Sequence, residues 1–208
     1  MTITYPLSLP TSPKPAQVQI GSTDVVGVNR SPFSNKREVQ DWGGDMWSAK
    51  LTWPVLAGRD QAEPLLVMLL ALRGRLGTVL IGDPLGATGR GVLTGAPLIN
   101  GVASAGARNL AIKGATHSVT GWIKAGDYLQ LGSGTSTRLH KALADAASDG
   151  SGNLTVDIWP RLRESYADGA AIAVSNCRGT FELGTNQRGW DESSFFRYAV
   201  EVAFVESY

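Results

Sequence analysis

The sequence is poor in the features from which secreted scaffolds and membrane proteins are built. Its 208 residues include one cysteine, Cys177, so no disulfide can form within the chain and nothing requires an oxidising compartment. The longest apolar run, from Leu65 to Leu72, is far shorter than the roughly 20 residues that a membrane-spanning helix needs. Residues 1–6 carry neither a basic nor an apolar segment, and we therefore expect no signal peptide.

Neither sign of charge is in excess. The chain has 19 basic and 18 acidic residues, which gives a formal net charge of +1. A protein that binds nucleic acid or an anionic membrane through electrostatic attraction usually carries a clear basic surplus. We therefore expect neither nucleic acid nor a membrane surface as a partner.

Side chains that carry out catalysis or bind metal ions are scarce. The chain contains two histidines, His117 and His140, and no G-x-S-x-G motif, zinc-ligand spacing or EF-hand loop. A Cys-His or Ser-His-Asp site can be assembled from distant residues, so spacing alone does not exclude one. We nevertheless predict structural or surface histidines, no catalytic or metal-binding residues, no cofactor and no enzymatic activity.

Glycine and proline, by contrast, are abundant, with 25 and 10 residues. Short apolar segments separated by such residues are typical of a mainly β protein. The clearest strand runs from Trp47 to Trp53, where apolar and polar residues alternate. We predict one hairpin over residues 16–29 and a second over residues 36–53 that turns at Gly43-Gly44.

One helix is predicted over residues 59–73, with apolar residues on every side. Because a small β-domain covers only part of such a helix, we expect a second copy of the chain to cover the rest. Four leucines form the predicted assembly interface: Leu65, Leu66, Leu69 and Leu70. The proline-rich segment of residues 1–15 is predicted to be an extended arm, either disordered or lying on a neighbouring subunit.

The composition of the sequence changes at residues 83–107, which are rich in glycine, alanine and serine. Five or six short strands follow, a number typical of a small barrel. The last segment, residues 195–206, alternates like a central or closing strand. The sequence therefore predicts a first domain, made of residues 1–86 and 178–208 and containing the helix, that is interrupted by an inserted barrel of residues 87–177.

Three aromatic residues of the predicted barrel are candidates for a ligand platform. Trp122, Tyr128 and Trp159 could stack on sugar rings or bases, as aromatic residues do in small barrels. For Trp159 we favour packing against the first domain, because Leu154 and Ile158 share the opposite face of its strand.

Two pairs of carboxylates leave an enzymatic alternative open. Asp41 and Asp45 lie beside Trp42, and glycosidases combine two carboxylates with an aromatic platform. Asp191 and Glu192 form a second pair. Because Asp41 and Asp45 fall on either side of a predicted tight turn, we expect both to be solvated, which speaks against catalysis.

Several short motifs follow one another in a characteristic order along residues 25–205. They are Trp42-Gly43-Gly44-Asp45-Met46-Trp47, Trp53-Pro54-Val55-Leu56, Leu72-Arg73-Gly74, Ala125-Gly126-Asp127-Tyr128-Leu129-Gln130-Leu131, Leu139-His140-Lys141, Ile158-Trp159-Pro160-Arg161-Leu162-Arg163 and Gly169-Ala170-Ala171-Ile172-Ala173-Val174. This order resembles that of the distal tail (Dit) proteins of siphophages, in their compact form with one inserted barrel. The motifs are loose, and none of them is catalytic.

The resemblance implies a β-sandwich domain with one helix that forms a hexameric ring, and an outward OB-like barrel. In that family the ring joins the tail tube to the tip or baseplate, with tail hub and tape-measure proteins as neighbours, and the barrel is suspected of contacting host-surface carbohydrate. The protein would then be a structural part of the virion tail tip, made in the host cytoplasm. The alternative function is a carbohydrate-binding module that forms no ring.

Overall fold

The structure, a computed structural model, describes residues 3–193 and 197–207. Within these ranges the chain forms sixteen strands, one α-helix and two 3-10 turns, Gly74–Leu76 and Gly134–Ser136. The helix is α1 (Arg59–Ala71), and the strands are β1 (Leu7–Ser8), β2 (Gln17–Thr23), β3 (Val26–Arg30), β4 (Arg37–Asp41), β5 (Met46–Thr52), β6 (Leu56–Ala57), β7 (Thr78–Ile81), β8 (Gly95–Ile99), β9 (Asn109–Ala115), β10 (Tyr128–Leu131), β11 (Arg138–Ala142), β12 (Leu154–Trp159), β13 (Gly179–Leu183), β14 (Asp191–Ser193), β15 (Arg197–Ala199) and β16 (Glu201–Glu206). The predicted fold class, mainly β with one helix and a barrel-like insertion, is confirmed.

Six strands form the main sheet, in the order β1-β7-β13-β16-β5-β2. Strand β1 runs parallel to β7, and the other neighbours are antiparallel. Strand β5 is the predicted alternating strand, and it buries Trp47, Ala49 and Leu51 on one face. The last predicted strand forms β15 and β16 in its described part, while residues 195 and 196 lie outside the described residues. Strand β16 is central, as its alternating pattern predicts.

Helix α1 forms where the sequence predicts it, and its inner face packs on the main sheet. The buried residues of the helix share one core with apolar residues of β5, β7, β13 and β16, and with Leu56 of β6 and Tyr198 of β15. Strands β14, β15 and β6 form a small three-stranded sheet beside the helix. The chain therefore covers the inner face of the helix by itself, and the expectation that this face needs a second copy is wrong.

The proline-rich N-terminal segment lies on its own chain. The hydroxyl of Tyr5 donates a hydrogen bond to the carbonyl oxygen of Ala71 at 2.6 Å, and Leu7 and Leu9 pack against the main core. Farther along, the indole nitrogen of Trp53 donates to the carbonyl oxygen of Pro13 at 3.2 Å. For the described part of this segment, the expectation of a disordered tail is wrong, whereas contact with a neighbouring subunit stays a prediction.

Residues 17–52 form one long hairpin where the sequence suggests two short ones. Strand β2 pairs with β5, and β3 pairs with β4, so that the chain reverses at residues 31–36. Gly43-Gly44 is an irregularity in this ladder and not a turn: Gly43 has a φ of 73°, and a Cβ on Gly44 would lie 2.6 Å from Val25. The hairpin β3–β4 therefore projects beyond the sheet to which its base belongs.

Five strands of the inserted stretch form a curled sheet, in the order β10-β11-β12-β9-β8. The segment of residues 170–173 hydrogen-bonds to both outer strands, through Ala173 with Gln130 of β10 and through Ile172 with Pro97 of β8. It thereby links the two edges of the sheet. Residues 170–175 are the last of the short strands that the sequence predicts for the inserted stretch, but in the structure they make isolated bridges.

The inserted stretch leaves the main sheet and returns to it at neighbouring positions. It follows β7 and precedes β13, and these two strands are paired with Ile81 opposite Gly179. Every strand of the curled sheet comes from the residues between them. The curled sheet encloses its own apolar core, whose largest fully buried members are Trp122, Ile99, Leu110, Ile112 and Ile123.

Candidate functional site

Three of the four leucines of the predicted assembly interface are buried within the single chain. Leu65, Leu66 and Leu69 are at most 5% exposed, because the main sheet covers the helix face on which they lie. They contribute to the core and cannot contact a neighbour in this conformation, so their assignment to the interface is corrected. The fourth, Leu70, is 49% exposed.

Helix α1 nevertheless carries an apolar stripe on its outer side. Pro64, Val67 and Leu70 follow one another at intervals of three residues and are all exposed, and Val67 is 57% exposed. Leu76, just beyond the helix, is 71% exposed. The outer face of a helix that only borders water is normally polar. We call these four residues the helix stripe.

The hairpin β3–β4 is exposed on both faces. No residue of these two strands is buried, and their large apolar side chains are open to solvent. Trp42, at the base of the hairpin, is 68% exposed, and Phe33, in its turn, is 98% exposed. Such a two-stranded ribbon has no apolar core of its own.

The register places unlike side chains on the two faces of this hairpin. Residues directly opposite each other share a face. Val28 is opposite Val39 and Arg30 is opposite Arg37, so one face presents a valine pair followed by an arginine pair. This face, together with Phe33, is called the hairpin face below.

An ion-pair network joins the base of the hairpin to the curled sheet. Arg161, which follows β12, lies with Nη2 2.7 Å from a carboxylate oxygen of Asp41 and with Nε 3.0 Å from a carboxylate oxygen of Asp45. Arg108 pairs with Asp41 as well. The network holds the hairpin base against the inserted stretch.

Both aspartates of this network are held ionised. A hydrogen bond from the amide of Gly43, followed by that from Arg161, lowers the pKa of Asp41. Burial alone would raise the pKa of Asp45, but hydrogen bonds from Arg161 outweigh it and lower the pKa. Asp45 is buried, so the expectation that it is solvated is wrong. A glycosidase acid has a raised pKa, whereas the pKa values of both these carboxylates are lowered by the hydrogen bonds that hold them.

Of the three aromatic residues of the predicted ligand platform, Trp122 lies apart from the other two, which both pack against Trp47. Trp122 is fully buried in the core of the curled sheet, where its indole nitrogen donates to the carbonyl oxygen of Thr94 at 2.7 Å. It offers no surface to a ligand, so its place in the platform is corrected. Tyr128 is also buried, and its hydroxyl donates to Asp83 at 3.1 Å.

Trp159 is half-buried and packs against the first domain, as its strand pattern predicts. Its ring meets that of Trp47 edge-on, with centroids 4.4 Å apart, and its indole nitrogen donates to Asp24 at 2.9 Å. The ring borders an open cleft of about 390 Å³ that is also lined by Arg108 and Asp157. Of the three aromatic residues, Trp159 alone is placed where a ligand can reach it.

A cluster of buried charged and polar groups lies where the end of β16 meets β11. The amide of Trp47 donates to Glu206 at 3.0 Å, and Arg163 pairs with Glu206 at 3.5 Å. Arg138 donates to the carbonyl oxygen of Ser207 at 3.1 Å. Burial raises the pKa of Glu206 and lowers the pKa of the neighbouring His140 to about 4. Of the two histidines, His140 is buried in this cluster and His117 is exposed.

Sequence reasoning missed the two residues that anchor the hairpin, Arg108 and Arg161, and the outer helix residue Val67. Opposite charges far apart in a sequence carry no signal of pairing. For Val67 a signal did exist, because it falls three residues before Leu70 on the predicted helix.

Comparisons with known proteins identify no family for this chain. No model of a protein family matches it, and a search of curated proteins finds no significant match. Within residues 3–193 and 197–207 no helix is long and apolar enough to cross a membrane. The same residues contain no cluster of three or more histidine, cysteine or acidic side chains that could hold a metal ion.

Proposed function

We propose that this protein is a structural, non-enzymatic subunit of a ring, and that the ring is the distal tail ring of a siphophage. The sequence resemblance to distal tail proteins supports the phage assignment, together with the mainly β fold and its barrel-like insertion. In this proposal six copies join the tail tube to the tip complex and contact the tail hub and tape-measure proteins.

The observation that carries the assembly proposal is the helix stripe. Pro64, Val67 and Leu70 are apolar and exposed on a helix whose other side is already buried in the core, and Leu76 is exposed in the 3-10 turn that follows it. Large apolar patches on soluble proteins mark interaction surfaces. A ring also needs two different patches on each subunit, and the hairpin face is a second, unlike patch.

The mass of the purified protein in solution tests the assembly. We expect a particle of about six chains, with roughly 1,000 Å² or more buried at each contact. A Val67→Asp/Leu70→Asp variant should fold normally but remain a single chain, because a charge in a buried interface lacks a partner. A Val55→Asp variant is the control, since Val55 is also exposed but lies outside the helix stripe. A wild-type protein that is monomeric at every concentration would refute the ring.

Electron microscopy of virions tests the phage assignment. An antibody against this chain should label a disc at the lower end of the tail tube in a long-tailed phage. Labelling of the capsid, or of no part of the virion, would contradict the assignment even if the purified protein forms rings.

The cleft beside Trp159 favours a second function, carbohydrate binding without a ring. Its half-buried indole and the side chains of Arg108 and Asp157 combine an apolar surface with polar groups, as sugar sites do. Titration of glycans against tryptophan fluorescence tests it, with Asp157→Ala as the variant expected to weaken binding. Binding by a protein that remains monomeric would favour this function over the ring.

A further inference from the structure

We propose that the hairpin face of one copy lies along the helix stripe of the next copy. This inference rests on the proposed function, because it names the two surfaces through which ring subunits meet. It commits to a second copy of this chain as the occupant of both surfaces. The arguments for it are the exposure of the hairpin, the opposite charges of the two surfaces, their matching lengths and their separate positions along the chain.

The first argument is that the hairpin is incomplete in isolation. A two-stranded ribbon without a packed face is marginally stable in water. The Val28–Val39 pair is exposed, and Phe33 is exposed almost completely, although the base of the hairpin is firmly anchored through Asp41. A hairpin whose base is anchored and whose apolar end is exposed is expected to bury that end against another surface.

The second argument is the charge of the hairpin end. Arg30 and Arg37 lie directly opposite each other, and Lys36 follows in the turn. Within the described part of the chain, none of these three side chains takes part in an ion pair. Like charges directly opposite each other destabilise a strand pair. An acidic partner surface would remove this penalty.

The third argument is that the helix stripe begins beside acidic residues. Asp60 and Glu63 lie in the first turns of α1, and Glu192 of β14 is close enough to interact with Arg59. Glu63 also pairs with Arg59 at 2.7 Å. Arg197 of β15, opposite Ala57, is a second guanidinium near this end of the helix. Three carboxylates still outnumber two guanidinium groups, so the N-terminal end of the stripe complements a basic hairpin.

The spacing of the two surfaces matches. Along a strand, Val28 and Arg30 are about 7 Å apart, at roughly 3.4 Å per residue. Along the helix, Val67 and Glu63 are about 6 Å apart, at 1.5 Å per residue. A hairpin laid along α1 can therefore place its valine pair on Val67 and its arginine pair beside Glu63 at the same time. Helix α1 is about 20 Å long, enough for strands of about 17 Å.

The two surfaces belong to separate parts of the chain, and each copy carries one of each. One copy therefore donates its hairpin to a neighbour and receives a hairpin from another neighbour. This is a heterologous, head-to-tail contact, which generates a closed ring if the rotation between copies closes. The inference thus predicts that all contacts around the proposed ring run in the same direction, from the hairpin of one copy to the helix of the next.

A charge exchange tests the pairing. The hairpin variant is Arg30→Glu/Arg37→Glu, and the helix variant is Asp60→Arg/Glu63→Arg. All four side chains are exposed or half-exposed, so both variants should fold as the wild type does. Circular dichroism checks this. Each variant alone brings like charges together, and its assembly should weaken on the order of a hundredfold.

Mixing the two variants distinguishes this contact from any other. In a mixture the acidic hairpin meets the basic helix, and the unchanged hairpin meets the unchanged helix, so both kinds of contact are favourable. Light scattering should then show rings of wild-type mass, and native mass spectrometry should show that they contain the two variants in equal amounts. A Lys14→Glu/Lys124→Glu variant, which has the same change in net charge as the hairpin variant, should assemble like the wild type.

Three outcomes would overturn the pairing, and one would overturn the ring itself. If the wild type assembles and either variant alone assembles equally well, the hairpin and the helix do not meet. If both variants dissociate but their mixture remains dissociated, each surface has some other partner. If the control dissociates as well, net charge and not pairing governs assembly. A wild-type protein that is monomeric would instead refute the proposed function.

Discussion

The curled sheet and the hairpin β3–β4 are both β-structures of this chain, and they differ in how far the chain itself buries their apolar side chains. The curled sheet encloses its own apolar core, and the segment of residues 170–173 links its two edges. The hairpin has no buried residue, and its apolar side chains face water. The curled sheet is packed on its inner face and also contacts the main core through Tyr128, Leu139 and Trp159, whereas the hairpin presents a surface that a partner can use.

The same contrast divides helix α1 along its length. Its inner side belongs to the main core, whereas its outer side carries Val67 and Leu70 in the open. Hydrophobic burial stabilises the fold only where the chain itself removes the apolar surface from water. Substitutions in the two kinds of surface should therefore affect different measurements, stability on one side and association on the other.

The largest expected effect contrasts two tryptophans. Trp122→Ala removes a fully buried ring from the curled sheet and should lower the free energy of unfolding by about 3–5 kcal/mol. Trp42→Ala removes an exposed ring and should change it by less than about 0.5 kcal/mol. Urea unfolding of the two variants, followed by circular dichroism at a concentration where the chain is monomeric, measures both. Equal losses would mean that the hairpin base is packed in solution.

The next contrast uses neighbouring leucines of the helix. Leu69→Ala should destabilise the chain by about 2–5 kcal/mol, because Leu69 is buried in the main core. Leu70→Ala should leave the unfolding midpoint of the monomer nearly unchanged and should weaken assembly instead. Unfolding in urea and sedimentation at several concentrations measure the two effects. A large loss of stability in the Leu70 variant would place that side chain in the core.

A pH dependence should distinguish the buried histidine from the exposed one. Because burial lowers the pKa of His140 to about 4, the folded state holds it neutral while the unfolded chain binds a proton below about pH 6.5. Its contribution is complete above pH 6.5 and is lost as the pH falls towards 4, by about 3 kcal/mol. Glu206, whose pKa is raised, acts in the opposite direction.

The comparison of two variants isolates the histidine from the glutamate. His140→Asn should show less loss of stability than the wild type between pH 7 and pH 4, measured as the shift of the urea midpoint. His117→Asn, at an exposed position, should retain the wild-type slope. Identical slopes for wild type and His140→Asn would show that His140 is not the group that titrates.

The smallest expected effect concerns the anchor of the hairpin. Asp41→Asn removes the charge that Arg108 and Arg161 hold, while the core of the chain is untouched. Hydrogen exchange of the amides in β3 and β4 should become faster, whereas amides of β5 should exchange as before. Unchanged exchange in the hairpin would mean that the ladder and not the ion pairs fixes its position.

Much of the fold could be predicted from local patterns. The period of two in β5 and β16 and the compact apolar run of α1 identify these elements correctly. The glycine-rich stretch follows β7, after which the chain leaves the main sheet. These signals are visible because they depend on neighbouring residues alone.

Pairing between strands was harder to predict, because it depends on distant residues. Gly43-Gly44 has the composition of a hairpin turn, but the pairing of β2 with β5 makes it an irregularity in a longer ladder. The exposure of candidate site residues was mispredicted for the same reason. Trp122 was predicted to contact a ligand and Leu69 to contact a second copy, because the local sequence does not reveal which distant segments bury them.

The adjacent exit and return of the inserted stretch has a consequence for how such a chain can change. Since Ile81 and Gly179 face each other across paired strands, a tight connection between β7 and β13 would leave the pairing between the strands of the main sheet in place. The ninety-odd residues between them amount, for that sheet, to a very long loop. Exchange of this stretch for another would keep the main sheet only if the new residues covered Trp47 as Trp159 does and replaced the contacts of Leu139 and Arg163.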